Sequence, residues 1–207
     1  MDGNIKQYNQ LRRFQLKKET ARKIYQKKRQ GLTSMRFEED SSVIIRNLIE
    51  IIKKFKPACI HCFLTIDQKS EINTKPIIEY CWENHIDVVV PVTDFTNNKL
   101  KNAKFEPSTK TALTKNNIPE PINPIWTNDS DIELVITPLL AFDAMGHRVG
   151  FGRGFYDRLF SSLHDEVKRV GVSFFEPCEI VEDVDNYDIP LTHCVTPQAT
   201  YCFKKDN

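Results

Sequence analysis

Asp87-Val88-Val89-Val90-Pro91 is the stretch on which the fold turns. Three β-branched residues in a row leave it no polar face, as expected of a strand covered on both sides in a parallel sheet. Just upstream, residues 75–83 read as a helix, and residues 58–64 before them as another strand. Downstream, residues 99–105 suggest a small strand. Residues 107–131 are polar and proline-rich, so a long loop is expected there. Further strands are expected at 133–136, at 169–174 and near 199–203, with a helix over about 155–163. Toward the N-terminus a helix is expected over about 17–30, with Gly31 as its cap and Ala21, Ile24 and Tyr25 on one face. A second amphipathic helix over 37–55 sets Val43, Ile44, Leu48, Ile51 and Ile52 at helical spacing, and Pro57 ends it. Strands alternating with helices imply an α/β fold: three layers, α/β/α, around a mainly parallel central sheet.

The 207 residues suit a single domain over 17–207 preceded by a polar extension over 1–16. Hydrophobic residues make up 40% and charged residues 28%, a globular balance. The longest apolar stretch, residues 132–142, contains Glu133, Thr137 and Pro138 and falls short of the roughly 20 residues that span a bilayer. The polar N-terminus shows no secretory h-region, so a cytoplasmic protein with no membrane partner is expected. The six cysteines then read as reduced, buried thiols. Cys59 and Cys62 form a C-x-x-C pair, but on a strand they point to opposite faces, which argues against a shared metal or redox role. His61, between them, reads as a satisfied core or edge histidine. Residues 1–30 carry ten Lys/Arg against two acids, while the rest of the chain is net acidic. Such a basic arm suits nucleic acid, a smaller polyanion, or simply a solvated helix face.

Chemistry concentrates in Phe142-Asp143-Ala144-Met145-Gly146-His147-Arg148-Val149-Gly150-Phe151-Gly152-Arg153-Gly154-Phe155-Tyr156-Asp157-Arg158. Four of the seven glycines in the chain fall between Gly146 and Gly154. Glycine permits positive φ and close approach to a ligand, and the helix that follows offers free N–H groups to an anion. Arg148 and Arg153 add donors suited to phosphate oxygens. Asp157 is placed to hold Mg²⁺ against those phosphates. The stretch lacks the Lys-Ser/Thr ending of a P-loop and the spacing of the dinucleotide fingerprint. A nucleotide-phosphate site is the reading it supports.

This segment, from Pro138 to Arg158, resembles the signature of the 5-formyltetrahydrofolate cyclo-ligase family, approximately P-x-x-A-F-D-x-x-G-x-R-x-G-x-G-x-G-[YF]-Y-D-R. Lys18-Glu19-Thr20-Ala21-Arg22 is similar to the family's K-x-x-L-R helix, with Ala21 in place of leucine. Glu71-Ile72-Asn73-Thr74, Ile118-Pro119-Glu120-Pro121 and Tyr187-Asp188-Ile189-Pro190 resemble three further family elements. The resemblance implies the α/β architecture related to that of sugar-phosphate isomerases and CoA transferases. It implies that Lys18, Glu19, Thr20, Ala21, Arg22 and the run Arg148, Val149, Gly150, Phe151, Gly152, Arg153, Gly154, Phe155 and Tyr156 line ATP. Leu64, Glu71, Arg153, Gly154, Phe155 and Tyr156 would border the folate, and Asp157 and Asp188 would bind Mg²⁺. Thr192 stands where a second acid often follows Asp188, and Phe155 where tyrosine is common.

The implied reaction is ATP- and Mg²⁺-dependent ring closure of 5-formyltetrahydrofolate, with or without a polyglutamyl tail, to 5,10-methenyltetrahydrofolate, ADP and phosphate. Phosphorylation of the formyl oxygen makes it a leaving group, which requires positioning and charge neutralisation rather than a protein nucleophile. Arg148 and Arg153 are the expected catalytic residues. No G-x-S-x-G elbow is present, and His147 is given no role. A monomer without a nucleic-acid partner is expected. The competing readings are another enzyme on the same scaffold and a non-catalytic nucleotide- or RNA-binding protein built on it.

Overall fold

The computed structural model describes residues 15–203. Its centre is a seven-stranded sheet. β2 (Cys59–Cys62), β3 (Asp87–Asp94), β7 (Leu134–Pro138), β10 (Lys168–Val172) and β12 (His193–Val195) run parallel, and the order across the sheet is β12-β10-β7-β2-β3. β4 (Lys99–Lys104) closes the β3 edge and β13 (Thr200–Cys202) the β12 edge, both antiparallel. Parallel strands joined through helices need both faces covered, and the three consecutive valines show how that is met. Val88 and Val90 pack into one core with Ile60, Cys62, Leu134 and Ile136, beneath helices α2 (Ser34–Phe55) and α3 (Lys75–Glu83). Val89 packs on the opposite face with Cys59, Val135, Leu159 and Phe160, beneath α4 (Phe155–Ser162). Cys59 and Cys62 therefore lie in different cores, as their spacing requires.

The remaining helix, α1 (Lys18–Gln30), packs Ala21 and Tyr25 against Leu140, Ala141, Val149 and Val181. These come from the short hairpin β8 (Ala141–Phe142) and β9 (Arg148–Val149), from Leu140 just before it, and from β11 (Ile180–Val181). In α1 the buried face is Ala21, Tyr25 and Arg29, whereas Ile24 is 39% exposed, against its expected place on the apolar face. Gly31 caps α1 in a right-handed conformation, with its N–H on the carbonyls of Lys27 and Lys28. α2 begins at Ser34, three residues before the expected start, because the Thr33 side chain accepts the Arg36 N–H at 3.2 Å. The helix ends at Phe55, capped by Lys56 in the left-handed region, and Pro57 follows the cap.

Three further expectations are corrected. The loop over 107–131 contains an antiparallel hairpin, β5 (Thr111–Leu113) and β6 (Pro119–Pro121), and a 3₁₀ turn at Asp129–Asp131. Strands of three residues are too short to display a period of two. The polar extension lies outside the described residues except for Gln15–Leu16, which form β1 and pair in parallel with β11. Cys202 is exposed, while the other five thiols are buried; all six are free. His61 is fully buried yet neither ring nitrogen has a hydrogen-bond partner among the described residues, so it is not the satisfied histidine expected. Burial drives its pKa down to about 4, which keeps it neutral, and its ring stands edge-on to Tyr156 at 5.8 Å. No helix among the described residues is long and apolar enough to cross a membrane.

Candidate active site

Parallel strands deliver their following loops to one end of the sheet, and ligand sites gather there. A cleft of about 1260 Å³ opens at that end. One wall carries Phe63, Leu64 and Glu71 from the segment after β2, and the opposite wall the glycine-rich loop from Gly150 to Gly154 with the start of α4. The start of α1, through Lys18, Glu19 and Arg22, and the loop with Asp185 and Asp188 complete the floor on the second side.

Asp143 organises the approach to the loop. It is fully buried, and its carboxylate accepts N–H groups from Met145 at 2.9 Å, His147 at 3.0 Å and Val181 at 3.1 Å, with His147 Nδ1 at 3.2 Å. Burial alone would raise its pKa, but the His147 and Val181 bonds outweigh that and hold it low. The bond to Asp143 in turn raises the His147 pKa. The aspartate of the A-F-D element is therefore a turn anchor that fixes β8, β9 and β11 relative to one another.

Beyond β9 the chain offers a row of donors. Among the described residues, no backbone N–H from Phe151 to Asp157 has a protein acceptor, and the first bond of α4 runs from Arg158 N–H to Gly154 O at 3.2 Å. Gly152 and Gly154 adopt φ of +90° and +65°, which other residues adopt only with strain. Gly150 has no positive φ, and a β-carbon there would meet nothing within 4 Å. At Gly150 the glycine keeps the loop surface low rather than permitting its shape.

The charged groups fall into two classes. The Arg148 side chain is only 7% exposed, with its guanidinium committed to Asp157 Oδ1 at 2.6 Å and to the Ile189 carbonyl. The Ile189 N–H also donates to Asp157 Oδ1 at 3.1 Å, which brings the loop bearing Asp188 beside the start of α4. Lys18 ion-pairs with Asp188 Oδ2, which also accepts the Asp185 N–H at 2.8 Å. Asp183 takes the free Lys18 N–H at 2.8 Å, capping α1 from across the molecule. Arg153, by contrast, is exposed, and its guanidinium has no partner among the described residues.

Asp157 Oδ2 and Asp188 Oδ1 have no protein partner among the described residues. Two carboxylates at one corner, each with an oxygen free, suit a cation that takes the rest of its ligands from phosphates and water. No group of three or more His, Cys, Asp or Glu is gathered into a protein-only cage among the described residues. On the other wall Glu71 is buried, with Oε2 accepting the Ile66 N–H at 3.0 Å. Burial raises its pKa, against the pull of that bond, Lys69 and Arg29. Burial also raises the Tyr156 phenol well above its ordinary value.

Lys18, Glu19, Arg22, Leu64, Glu71, Arg148, Gly150 to Asp157 and Asp188 all line the cleft. Ala21 and Val149 do not, being fully buried in the core behind it, and neither does Thr20, which is exposed. Sequence reasoning missed Thr93, Phe95, Leu100, Asn116 and Arg158, which line the cleft from β3, the turn after it, β4, the loop inside the β5–β6 hairpin and α4. Only Arg158 carried a signal, as the last residue of the signature.

With this geometry in place, comparison with known proteins gives one answer. The model of the 5-formyltetrahydrofolate cyclo-ligase family matches residues 7–197. The 5-formyltetrahydrofolate cyclo-ligase of Escherichia coli (strain K12) is 33% identical over 148 residues, covering 67% of this chain and 78% of its own. That of Haemophilus influenzae is 29% identical over 182 residues, covering 84% and 95%. The solved structure of Aquifex aeolicus 5,10-methenyltetrahydrofolate synthetase superposes with a TM-score of 0.71 at 24% identity, covering 92% of this chain and 94% of that one, and so shares the fold.

Proposed function

The chain is an enzyme of the 5-formyltetrahydrofolate cyclo-ligase family, and from that premise we propose that it converts 5-formyltetrahydrofolate to 5,10-methenyltetrahydrofolate at the expense of ATP, with Mg²⁺. The observation that carries the nucleotide half of this reading is the unpartnered row of N–H groups from Phe151 to Asp157, set beside two half-free carboxylates. A row of donors at a helix start is what a chain of phosphates requires. MgATP, when bound, supplies the phosphoryl group that converts the formyl oxygen into a leaving group, so that nitrogen 10 can close the ring with release of ADP and phosphate.

The residues of the chain divide the remaining work. Arg153 is free to meet the phosphoryl oxygens, where donors aimed at developing charge lower the barrier most. Arg148 acts from behind, holding Asp157 and the Ile189 loop in register and adding buried positive charge. Asp157 and Asp188 would hold the cation through their free oxygens. Lys18 and Arg22 bring the start of α1 to the nucleotide side, and Glu19 and Phe151 border it. Glu71 lies in the wall opposite the loop, where its carboxylate would hydrogen-bond the pterin, with Leu64 beside it. Phe155 and Tyr156 lie between the two halves and would border the folate, as would Arg153 and Gly154. Thr20, Ala21 and Val149 support the nucleotide wall through their backbone and packing. One chain supplies every group, so a monomer is the working unit proposed. The six free thiols fit the reducing cytoplasm.

The test is a rise in absorbance at the methenyltetrahydrofolate band when purified protein meets 5-formyltetrahydrofolate. The rise should require both ATP and Mg²⁺. A flat trace from folded, ATP-binding protein would refute the reading and direct attention to another substrate.

A further inference from the structure

We propose that Arg158 is a positioning residue for the glycine-rich loop, acting with Arg22 to occupy two loop carbonyls and leave the neighbouring N–H groups free for phosphate. This rests on the reading of the cleft as a nucleotide site. Arg158 lies one turn into α4 and folds back over it. Its Nη2 donates to the Arg153 carbonyl and its Nε to the Asn98 carbonyl in the turn between β3 and β4, and its guanidinium lies over the Phe155 ring at 5.6 Å. One planar group thus ties two walls of the cleft together. Among the described residues it has no carboxylate partner, so an ion pair does not account for its place.

Arg22 does the same at the other shoulder of the loop, with Nε donating to the Gly150 carbonyl at 2.9 Å. Each arginine fits behind a glycine. A β-carbon on Gly154 would lie 3.1 Å from Arg158 Nη1, and one on Gly152 would lie 3.3 Å from Arg22 Cζ. The glycines that give the loop its positive φ also make room for the groups that hold it. In a trans peptide the carbonyl and the following N–H point in opposite directions. Fixing the carbonyls of Gly150 and Arg153 on guanidinium groups therefore fixes the N–H vectors of Phe151 and Gly154. A carbonyl left to rotate toward a phosphate would repel it. The fork geometry matters as well as the charge, since an ammonium cannot hold two carbonyls at a set angle.

The experiment titrates inorganic tripolyphosphate into the intact ¹⁵N-labelled chain and follows the amides of Phe151 to Phe155. It is repeated with Arg158→Gln, which removes fork and charge, and Arg158→Lys, which keeps the charge alone. Both should bind about tenfold or more weakly than the parent, the worth of one hydrogen bond to a charged group, with a melting temperature lowered by a few degrees at most and a raised KM for MgATP. A lysine variant within twofold of the parent would show that charge alone matters and overturn the proposal, as would unchanged affinity in both. Should neither variant fold, the side-chain ¹⁵N signals of Arg158 in the parent decide. A protected Nε–H and slow guanidinium rotation support the clamp, and free rotation removes it. If the parent binds tripolyphosphate and both variants lose it, yet no ATP-dependent turnover is seen, the cyclo-ligase reading fails and the clamp stands.

Discussion

Replacing Arg148 by methionine and Arg153 by alanine should separate two arginines that the sequence presents as equivalent. Arg148 is 7% exposed and holds Asp157 and the Ile189 carbonyl together. Removing one member of a buried pair costs about 3–5 kcal/mol, because the other charge is left without compensation. The Asp157 side chain is 24% exposed, so water relieves part of that cost and the lower end, about 3 kcal/mol, applies. For a chain of this size 1 kcal/mol moves the melting temperature by about 2–4 °C, so Arg148→Met should melt roughly 6–12 °C lower. Arg153 is exposed and its guanidinium unpartnered, so Arg153→Ala should stay within about 0.5 kcal/mol of the parent. Its turnover should nonetheless fall by about 10²–10³, the usual cost of one donor to developing charge. Thermal unfolding and the methenyltetrahydrofolate absorbance assay, run on both variants, provide the two readings. An Arg148→Met protein with parental stability and no turnover would refute the division of roles. So would an Arg153→Ala protein with a near-parental rate.

Gly150→Ala should fold with parental stability, since its β-carbon meets nothing within 4 Å, but should raise the KM for MgATP by filling the loop surface; Gly152→Ala should lose about 1–2 kcal/mol as well, from its φ of +90°. Parallel denaturant curves and kinetics check this pair, and equal destabilisation would count against it. The raised His147 pKa predicts a stability contribution fully present below pH 6.5 and lost as the pH climbs through the folded value. The depressed Asp143 pKa predicts one present above pH 3.8 and lost in acid as the pH falls through its folded value. Melting curves from pH 3 to 9 should show both limbs, and His147→Gln should abolish the alkaline one. Glu71→Gln should raise the KM for 5-formyltetrahydrofolate about tenfold or more without loss of stability, because a buried charge disappears. In the parent that KM should begin to rise at a pH above 4.5 as the pH is lowered, since burial has raised the Glu71 pKa. His61→Phe should leave the melting temperature unchanged or higher, since it removes two unpartnered buried nitrogens; a fall of several degrees would mean those nitrogens have partners.

The fold was legible where burial on both faces writes itself into composition. Val88, Val89 and Val90 announce a central strand without reference to any other element, and Lys75–Glu83 appears as a helix with its bounds correct. What could not be read is what distant residues decide. β12 is three residues long and takes its strand character from Gly171 and its neighbours alongside. β5 and β6 are held in part by Glu120, which accepts the Thr93 N–H at 2.8 Å. Ile24 is apolar and in phase, yet half-exposed, because α1 packs on the small β8–β9 hairpin and the two-residue β1–β11 pair rather than on the broad sheet.

The site divides along the same line. Local chemistry, glycines beside arginines at a helix start, was visible because it lies in one continuous stretch. The pairing of those charges was not, since Arg148 meets Ile189 across 41 positions and Lys18 meets Asp188 across 170. A sequence lists cations and carboxylates as separate candidates for phosphate and metal, whereas the fold first sets them against one another. Arg148 with Asp157 and Lys18 with Asp188 hold the cleft in shape through one carboxylate oxygen each, and the proposed cation would take the second. A residue at such a place serves stability and chemistry together, so its alanine variant cannot report on either alone. Arg153 and Gly150, whose proposed roles come with little structural burden, are where mutation can separate the two.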